Sequence, residues 1–229
     1  MNYHLGQKTK NRAPVGALFV AALVLDYAGG YAAAQKIMPP TTPATITPPA
    51  GNSAFLVGYA EGTQGYVCLP TSTGASWTVN SSRPEAILSM SSSGKHFEIT
   101  HFLSPDTNPN EHAPNPLPFG SPTWRSSLDG SVVWAKALTP PVVSGSDASC
   151  PNTGAIPCLL LQTIGSKPGH ASTKKRRTGG GGLSETTFIQ RLNTSGGSAP
   201  ATGCSASTDV GKQVLVPYTA NYYFFRKDK

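Results

Sequence analysis

The sequence predicts an all-β protein with a single domain, built as an antiparallel β-sandwich, with a partly closed β-barrel as the alternative. Short apolar or alternating runs recur roughly every ten residues and are separated by Gly, Pro, Ser and Asn. No stretch repeats its apolar residues with the helical period of about 3.6 residues over several turns. The composition agrees, because 24 Gly, 21 Pro and only 13% charged residues leave little material for surface helices. Uneven strand lengths favour the sandwich.

Residues 1–34 carry the features of an export signal. Basic residues precede an uncharged apolar run at 15–25, and the alanines at 32–34 offer a cleavage site. The apolar run is shorter than the roughly 20 residues that a membrane span needs. We therefore expect a secreted or periplasmic protein without a transmembrane anchor after cleavage. An uncleaved N-terminal anchor is the alternative.

A proline-rich segment at 35–50 follows the signal and has the composition of a linker or arm. Residues 51–229 then form the single β domain, which is long enough to bury a core. We expect strands at 54–60, 65–70, 75–80, 85–90, 96–103, 122–128, 131–139, 156–164, 186–193 and 213–225.

Local signals fix some of these elements and the connections between them. Asp129 and Gly130 are the preferred pair for a two-residue type I′ hairpin turn. Residues 156–161 are apolar on both faces, which predicts a central strand buried on both sides. The segments 104–121 and 165–183 are long and irregular, so they are where we expect a binding rim or variable decoration.

The net charge is +7 for the full chain and +5 without residues 1–34, and four of the remaining positive charges form one run within a Gly-rich loop. The run consists of Lys174, Lys175, Arg176 and Arg177. Such a run indicates a solvated loop tip, with weak contact to an anionic surface as the alternative. It does not form the extended basic face of a nucleic-acid-binding protein, so we expect no specific nucleic-acid partner.

Four cysteines form an even set that suits an oxidising compartment. They allow three pairings, and we favour Cys150–Cys158 together with Cys68–Cys204. The first pair brackets a turn-like Pro-Asn-Thr-Gly, and the second joins an early strand to the C-terminal block. A zinc site is the alternative, although the sequence has no C-x2-C pair of the kind that structural zinc sites use.

Motifs that mark a cofactor or a common catalytic mechanism are absent from the sequence. It contains no G-x-S-x-G elbow, no P-loop and no H-E-x-x-H. We therefore expect no cofactor. His96 and Glu98 share one face of a predicted strand while His101 lies on the other, so the three cannot bind one ion and we expect no metal.

Five side chains make up the candidate pocket: His101, Trp124, Arg191, Tyr218 and Tyr222. His101 shares its strand face with apolar neighbours, so it is either a hydrogen-bonded core histidine or part of a pocket. Arg191 alternates onto the face of apolar Ile189, where a lone charge is costly, so it either pairs internally or contacts a ligand. Tyr218 and Tyr222 share one face of the last predicted strand with Phe224, which is the pattern of core aromatics or of a carbohydrate platform.

Several short motifs together resemble a secreted bacterial and fungal family catalogued as domain of unknown function 3455. They are TQGYVC at 63–68, PEA at 84–86, HF at 101–102, Trp124 with DGS at 129–131, IP at 156–157, LLL at 159–161 and the C-terminal block at 187–225. The resemblance implies that the chain shares the structure of the family, but it does not imply any activity. Family members typically have tryptophan where this chain has Cys158, so a binding role for that tryptophan does not carry over.

Two functional hypotheses follow from these observations. The first is a non-enzymatic extracellular or envelope module that binds a polysaccharide or a protein, motivated by a compact disulfide-linked β domain with long loops. The second is a hydrolase or oxidoreductase of unfamiliar type, built on His101, Arg191 and Tyr218. The second hypothesis requires these three side chains to converge on one pocket.

Overall fold

The computed structural model describes Met1 and residues 36–92, 95–104, 121–170 and 182–229. These ranges contain the strands β1 (Asn52–Thr71), β2 (Gly74–Ser92), β3 (Lys95–Ser104), β4 (Ser121–Ser126), β5 (Val132–Ala137), β6 (Leu159–Lys167), β7 (Phe188–Gly196) and β8 (Gln213–Lys227), and the short 3-10 helices Ala44–Ile46 and Leu183–Glu185. Within the described ranges, no helix has the length and apolar character needed to cross a membrane. The predicted export signal beyond Met1 and the basic run lie outside the described residues.

The strands form one antiparallel sheet that closes on itself as a barrel. Each strand pairs with the next along the chain, and β1 pairs with both β2 and β8. The predicted all-β, antiparallel class is confirmed. The sheet is a single closed layer in place of the two layers of the preferred sandwich, so the barrel alternative describes the architecture.

Long, continuous strands allow the sheet to close. The predicted strands at 54–60 and 65–70 are one strand, β1, and those at 75–80 and 85–90 are one strand, β2. The pairing of β1 with β2 shifts register between Gln64 and Tyr66. A bulge of this kind raises the twist and bends a strand without ending it, so polar and Gly residues that predict a turn lie inside a continuous strand.

Two apolar clusters lie on opposite sides of the sheet. The inner cluster fills the barrel and includes Leu88, Ile99, Ile189 and Phe224. The outer cluster is made of Ile46, Val142, Cys150, Cys158, Leu160 and Leu192. Strand β6 contributes to both, with Leu161 inside and Leu160 outside, which explains its apolar sequence on both faces.

The segment 156–158 precedes β6 and does not form its first residues as the sequence predicts. The strand begins at Leu159, and the residues before it make isolated bridges, Ala155 to Gly197 and Val142 to Cys158. The missing N–H of Pro157 prevents a regular ladder bond at that position.

The proline-rich segment packs on the barrel, although its composition is that of a linker. Ile46 is fully buried in the outer cluster. The Gln190 side-chain amide donates hydrogen bonds to the Ile46 carbonyl at 2.7 Å and to the Thr42 hydroxyl at 3.2 Å. One apolar side chain and one buried amide on β7 thus attach to the barrel a segment whose proline content predicts a linker or arm.

The turn between β4 and β5 is longer than the predicted type I′ hairpin. The Ser126 amide donates to the Ser131 carbonyl, and only Gly130 has a positive φ, at 73°. A type I′ turn needs positive φ at both central residues. The Asp129 carboxylate instead accepts bonds from the Ser131 amide (3.0 Å) and hydroxyl (2.7 Å), which stabilises a wider loop.

Both disulfides favoured from the sequence are present. Cys68 is bonded to Cys204, 136 residues away, and Cys150 is bonded to Cys158, eight residues away. The Cα–Cα distances of 5.4 Å and 5.9 Å are ordinary for disulfides. The long-range bond attaches the segment between β7 and β8 to β1, and the short-range bond lies in the outer cluster.

Candidate functional site

The five residues predicted to form a pocket come together inside the barrel. His101 on β3 lies opposite Trp124 on β4, and Arg191 on β7 lies opposite Tyr222 on β8. Tyr218 lies four residues before Tyr222, so strand alternation places both on the inner face of β8. The period-two pattern of each strand is what directs these side chains inward.

His101 and Trp124 form a parallel stack at the centre of this group. Their ring centroids are 4.3 Å apart with an interplanar angle of 5°. Tyr222 meets both rings at an angle, with centroids 5.5 Å from His101 and 5.8 Å from Trp124. Trp124 is fully buried and His101 is only 4% exposed, so the stack is part of the packed core.

The tautomer and charge of His101 follow from its surroundings. Nδ1 lies 2.9 Å from the Thr123 carbonyl oxygen. A carbonyl only accepts, so Nδ1 carries the proton and the unprotonated Nε2 can only accept a hydrogen bond. Burial lowers the His101 pKa to about 4, the nearby Arg191 charge acts in the same direction, and the Thr123 carbonyl opposes both effects. His101 is therefore neutral at physiological pH.

Tyr218 is held as a neutral phenol beside Tyr222. The two hydroxyl oxygens are 3.2 Å apart. Burial raises the Tyr218 pKa, and the charge and hydrogen bond of Tyr222 add to this effect, while the positive charge of Arg191 opposes it. A group that stays protonated can donate a hydrogen bond, but it is a poor general base or nucleophile.

Arg191 is bound to the backbone of the segment before β6. Its Nε and Nη2 donate to the Pro157 carbonyl oxygen at 3.2 Å and 2.8 Å. The Thr194 hydroxyl, on the same strand, donates to the Ile156 carbonyl at 2.6 Å. Together they fix the segment that inserts Ile156 into the inner cluster.

The charge of Arg191 acts on several neighbours. It influences the pKa of His101, of Tyr218 and of Tyr66 on β1. Burial raises the Tyr66 pKa, and its hydroxyl donates to the Gly197 carbonyl at 2.6 Å. Neither of the ion pairs Lys212–Asp209 and Arg226–Glu185 includes Arg191, whose guanidinium bonds among the described residues go to the Pro157 carbonyl.

Sequence reasoning missed the partners that fix these side chains. The Thr123 and Pro157 carbonyls are backbone groups, and a pattern of residue types cannot predict which backbone carbonyl a side chain will bind. Tyr66 could have been found, because it lies in the TQGYVC motif. Glu98 is exposed while His101 points inward, as the alternation predicted.

An open cleft lies elsewhere, beside the long-range disulfide. Its volume is about 320 Å³. It is lined by Ala75, Ser76 and Trp77 of β2 and by Ala199, Pro200, Ala201, Thr202 and Cys204 of the segment between β7 and β8. None of the five predicted pocket residues lines it. Trp77 was not singled out from the sequence because an isolated tryptophan in a strand carries no motif.

Fold and site together define a disulfide-linked, closed antiparallel β-barrel with a hydrogen-bonded aromatic centre. Two disulfides fit an extracellular location. The chain belongs to the family described as Protein of unknown function (DUF3455), which matches residues 49–226. The family resemblance of the sequence motifs is thereby confirmed. Neither the curated proteins nor the solved structures contain a match.

Proposed function

We propose that this protein is a secreted, non-enzymatic module of the cell envelope or extracellular space that binds a polysaccharide or another protein. The observation that carries the proposal is the division between interior and surface. The reactive side chains of the interior are neutral or bonded to backbone, whereas the cleft at Trp77 is open and lined by neutral side chains. Secretion is supported by the signal-like residues 1–34 and by the disulfides.

Two binding screens with the purified exported protein test this proposal. Soluble and insoluble polysaccharides are used in one, and secreted proteins in the other. We expect saturable binding of one ligand without any change in that ligand. No binding in either screen, or conversion of a bound ligand to a product, would overturn the proposal.

A second candidate is an enzyme of unfamiliar type built on His101, Arg191 and Tyr218, with Tyr222 beside them. The specific observation in its favour is that all three are neighbours of Tyr222, which lies opposite Arg191 in the β7–β8 pairing, has its ring centroid 5.5 Å from that of His101, and has its hydroxyl oxygen 3.2 Å from that of Tyr218. This candidate predicts substrate turnover that His101→Gln abolishes without unfolding the protein. Equal turnover by the variant and the parent protein would exclude these residues as the source.

Weak contact with anionic surfaces through residues 174–177 is a separate part of the proposal. The described residues on either side of the loop contact the β4–β5 turn, where the His170 amide donates to the Asp129 carbonyl and the Leu183 amide to the Ser131 hydroxyl. Deleting the four basic residues should leave the barrel folded and remove low-salt binding to anionic vesicles. A vesicle affinity that does not change with ionic strength would contradict an electrostatic contact.

A further inference from the structure

We propose that the cleft beside Trp77 binds one ring of a neutral polysaccharide, with the sugar packed on the indole. This inference rests on the proposed function and names its ligand. A volume of about 320 Å³ is at the small end of ligand pockets, which span roughly 300–1,000 Å³. The cleft is open, so a single ring can occupy it while the rest of a chain continues outside.

The lining favours an uncharged ligand. None of the residues around the cleft has an ionisable side chain. Lys212 lies beside Gly203 at its margin and is paired with Asp209 at 3.7 Å. An anionic ligand would therefore find no opposite charge in the lining itself, whereas a neutral ligand does not need one.

The lining also has the mixed character that a sugar ring requires. Ala75, Ala199 and Pro200 offer apolar surface, and Ser76 and Thr202 offer hydroxyl groups. A pyranose ring presents C–H groups on its faces and hydroxyls around its edge, so one surface of each kind matches it. Small side chains around one large aromatic leave room for a ring to lie flat.

Trp77 supplies the flat surface. The residue is half-buried, and its Nε1 donates to the Thr202 carbonyl at 2.9 Å. The single polar atom of the indole is thus already bonded, and the part of the ring left for a ligand is apolar. The same bond fixes the orientation of the ring before any ligand arrives.

The segment between β7 and β8, which forms the other wall of the cleft, is also held in place before a ligand binds. Cys204 is bonded to Cys68, and the Cys68 amide donates to the Lys212 carbonyl at 2.9 Å. Tyr66 bonds the Gly197 carbonyl at the start of the loop. A wall held at three points loses little conformational entropy when a ligand binds, which favours affinity from few contacts.

A proline-rich peptide is the other ligand that packs on tryptophan. Grooves that recognise such peptides are lined by several aromatic residues. This cleft has one aromatic residue among small ones, so the lining favours a sugar. Binding of a protein through Trp77 is therefore an outcome that the test must be able to detect.

The test is titration calorimetry of the exported protein in high salt. The probes are laminarin, hydroxyethylcellulose, soluble starch and mannan as neutral chains, and alginate as a polyanion. We expect the parent protein to bind a neutral chain, Trp77→Ala to bind it at least about tenfold more weakly, and Trp77→Phe to stay within about threefold. Tyr59→Ala, which removes an aromatic side chain that is 57% exposed on β1, is the matched control and should bind like the parent.

The indole N–H resonances in solution give an independent readout, because Trp77 is half-buried and Trp124 fully buried. The bound neutral chain should shift the Trp77 resonance and leave that of Trp124 in place. Neutral-chain binding that Trp77→Ala leaves unchanged would overturn the site while the binding module stands. Binding of alginate alone, or of a secreted protein through Trp77, would overturn the ligand class. Failure of the parent protein to bind any polysaccharide or protein would overturn the proposed function itself.

Discussion

Burial decides the chemistry of His101 at the scale of the single residue. A solvated histidine titrates near physiological pH, but burial lowers the pKa of this one to about 4. Its Nδ1 proton is donated to the Thr123 carbonyl, and its ring stacks on Trp124. The sequence left a core histidine and a pocket histidine as alternatives, and the contacts are those of a core residue.

The lowered pKa predicts a stability loss in mild acid. The unfolded chain binds a proton to His101 near pH 6.5, whereas the folded protein binds it only near pH 4, so falling pH favours unfolding across that window. Between pH 7 and pH 4 this single group should remove about 3 kcal/mol from the free energy of unfolding.

Urea denaturation of the parent protein and of His101→Gln at several pH values measures this effect. The glutamine amide can still donate to Thr123 but does not titrate, so the variant should lose less stability on acidification by about that amount. Parallel pH curves for the two proteins would contradict the burial argument.

Arg191 provides the second prediction at this scale. Arg191→Met keeps the aliphatic bulk but leaves the Pro157 carbonyl without its two donors. We expect the free energy of unfolding to fall by about 1.5–3 kcal/mol, with Arg125→Met at an exposed position of β4 as the control near zero. A variant as stable as the parent would mean that the arginine serves a ligand and not the fold.

At the scale of strands, the direction of side chains can be predicted from the sequence, whereas strand length and long-range contacts cannot. Alternation correctly placed His101, Tyr218 and Tyr222 on inward faces, because the strand period is a local property. The continuity of β1 and β2 was missed, because a bulge lets Gly and polar residues remain in a strand. The buried position of Ile46 was missed as well, because it depends on a distant amide on β7.

Close contact between β1 and β2 depends on Gly62. A Cβ at this position would lie 2.6 Å from the Ala86 Cα and even nearer to the Glu85 carbonyl oxygen. Gly62→Ala should therefore separate the strands and lower the free energy of unfolding by about 1–3 kcal/mol. Glu61→Ala, at the neighbouring exposed position, is the control for urea denaturation and should change little. Equal stability of the two variants would show that the strands can move apart at no cost.

The whole molecule is held by disulfides of very different span. In the chain-entropy account, the Cys68–Cys204 bond restricts the unfolded chain far more than Cys150–Cys158, with stabilisation of about 5 and 2.5 kcal/mol. Replacing the first pair by serine should lower the free energy of unfolding, measured by urea denaturation, more than replacing the second. Equal losses, or a larger loss from the short-range pair, would contradict this ranking. Such a result would mean that the buried packing around Cys150 and Cys158 stabilises the fold more than loop closure does.

Closure of the sheet is the feature of the whole molecule that the sequence did not decide. Fold class and both disulfide pairings followed from composition, alternation and cysteine spacing. Closure depends on the pairing of β1 with β8, whose partners such as Gly58 and Tyr222 are far apart in the chain. A local sequence pattern cannot predict which edge strands pair. The cleft between Trp77 and Thr202 could not be predicted either, because it also joins residues that are far apart in the chain.

The central claim is that the interior supports the fold and the surface binds the ligand. It is tested most directly by the dissociation constant of His101→Gln for the polysaccharide or protein that the parent protein binds, measured at neutral pH on protein shown to be folded by circular dichroism. We predict a value within about threefold of the parent, because His101 is packed between Trp124 and Tyr222 and does not line the cleft. Loss of binding by a folded variant would contradict the claim and return the ligand to the barrel interior.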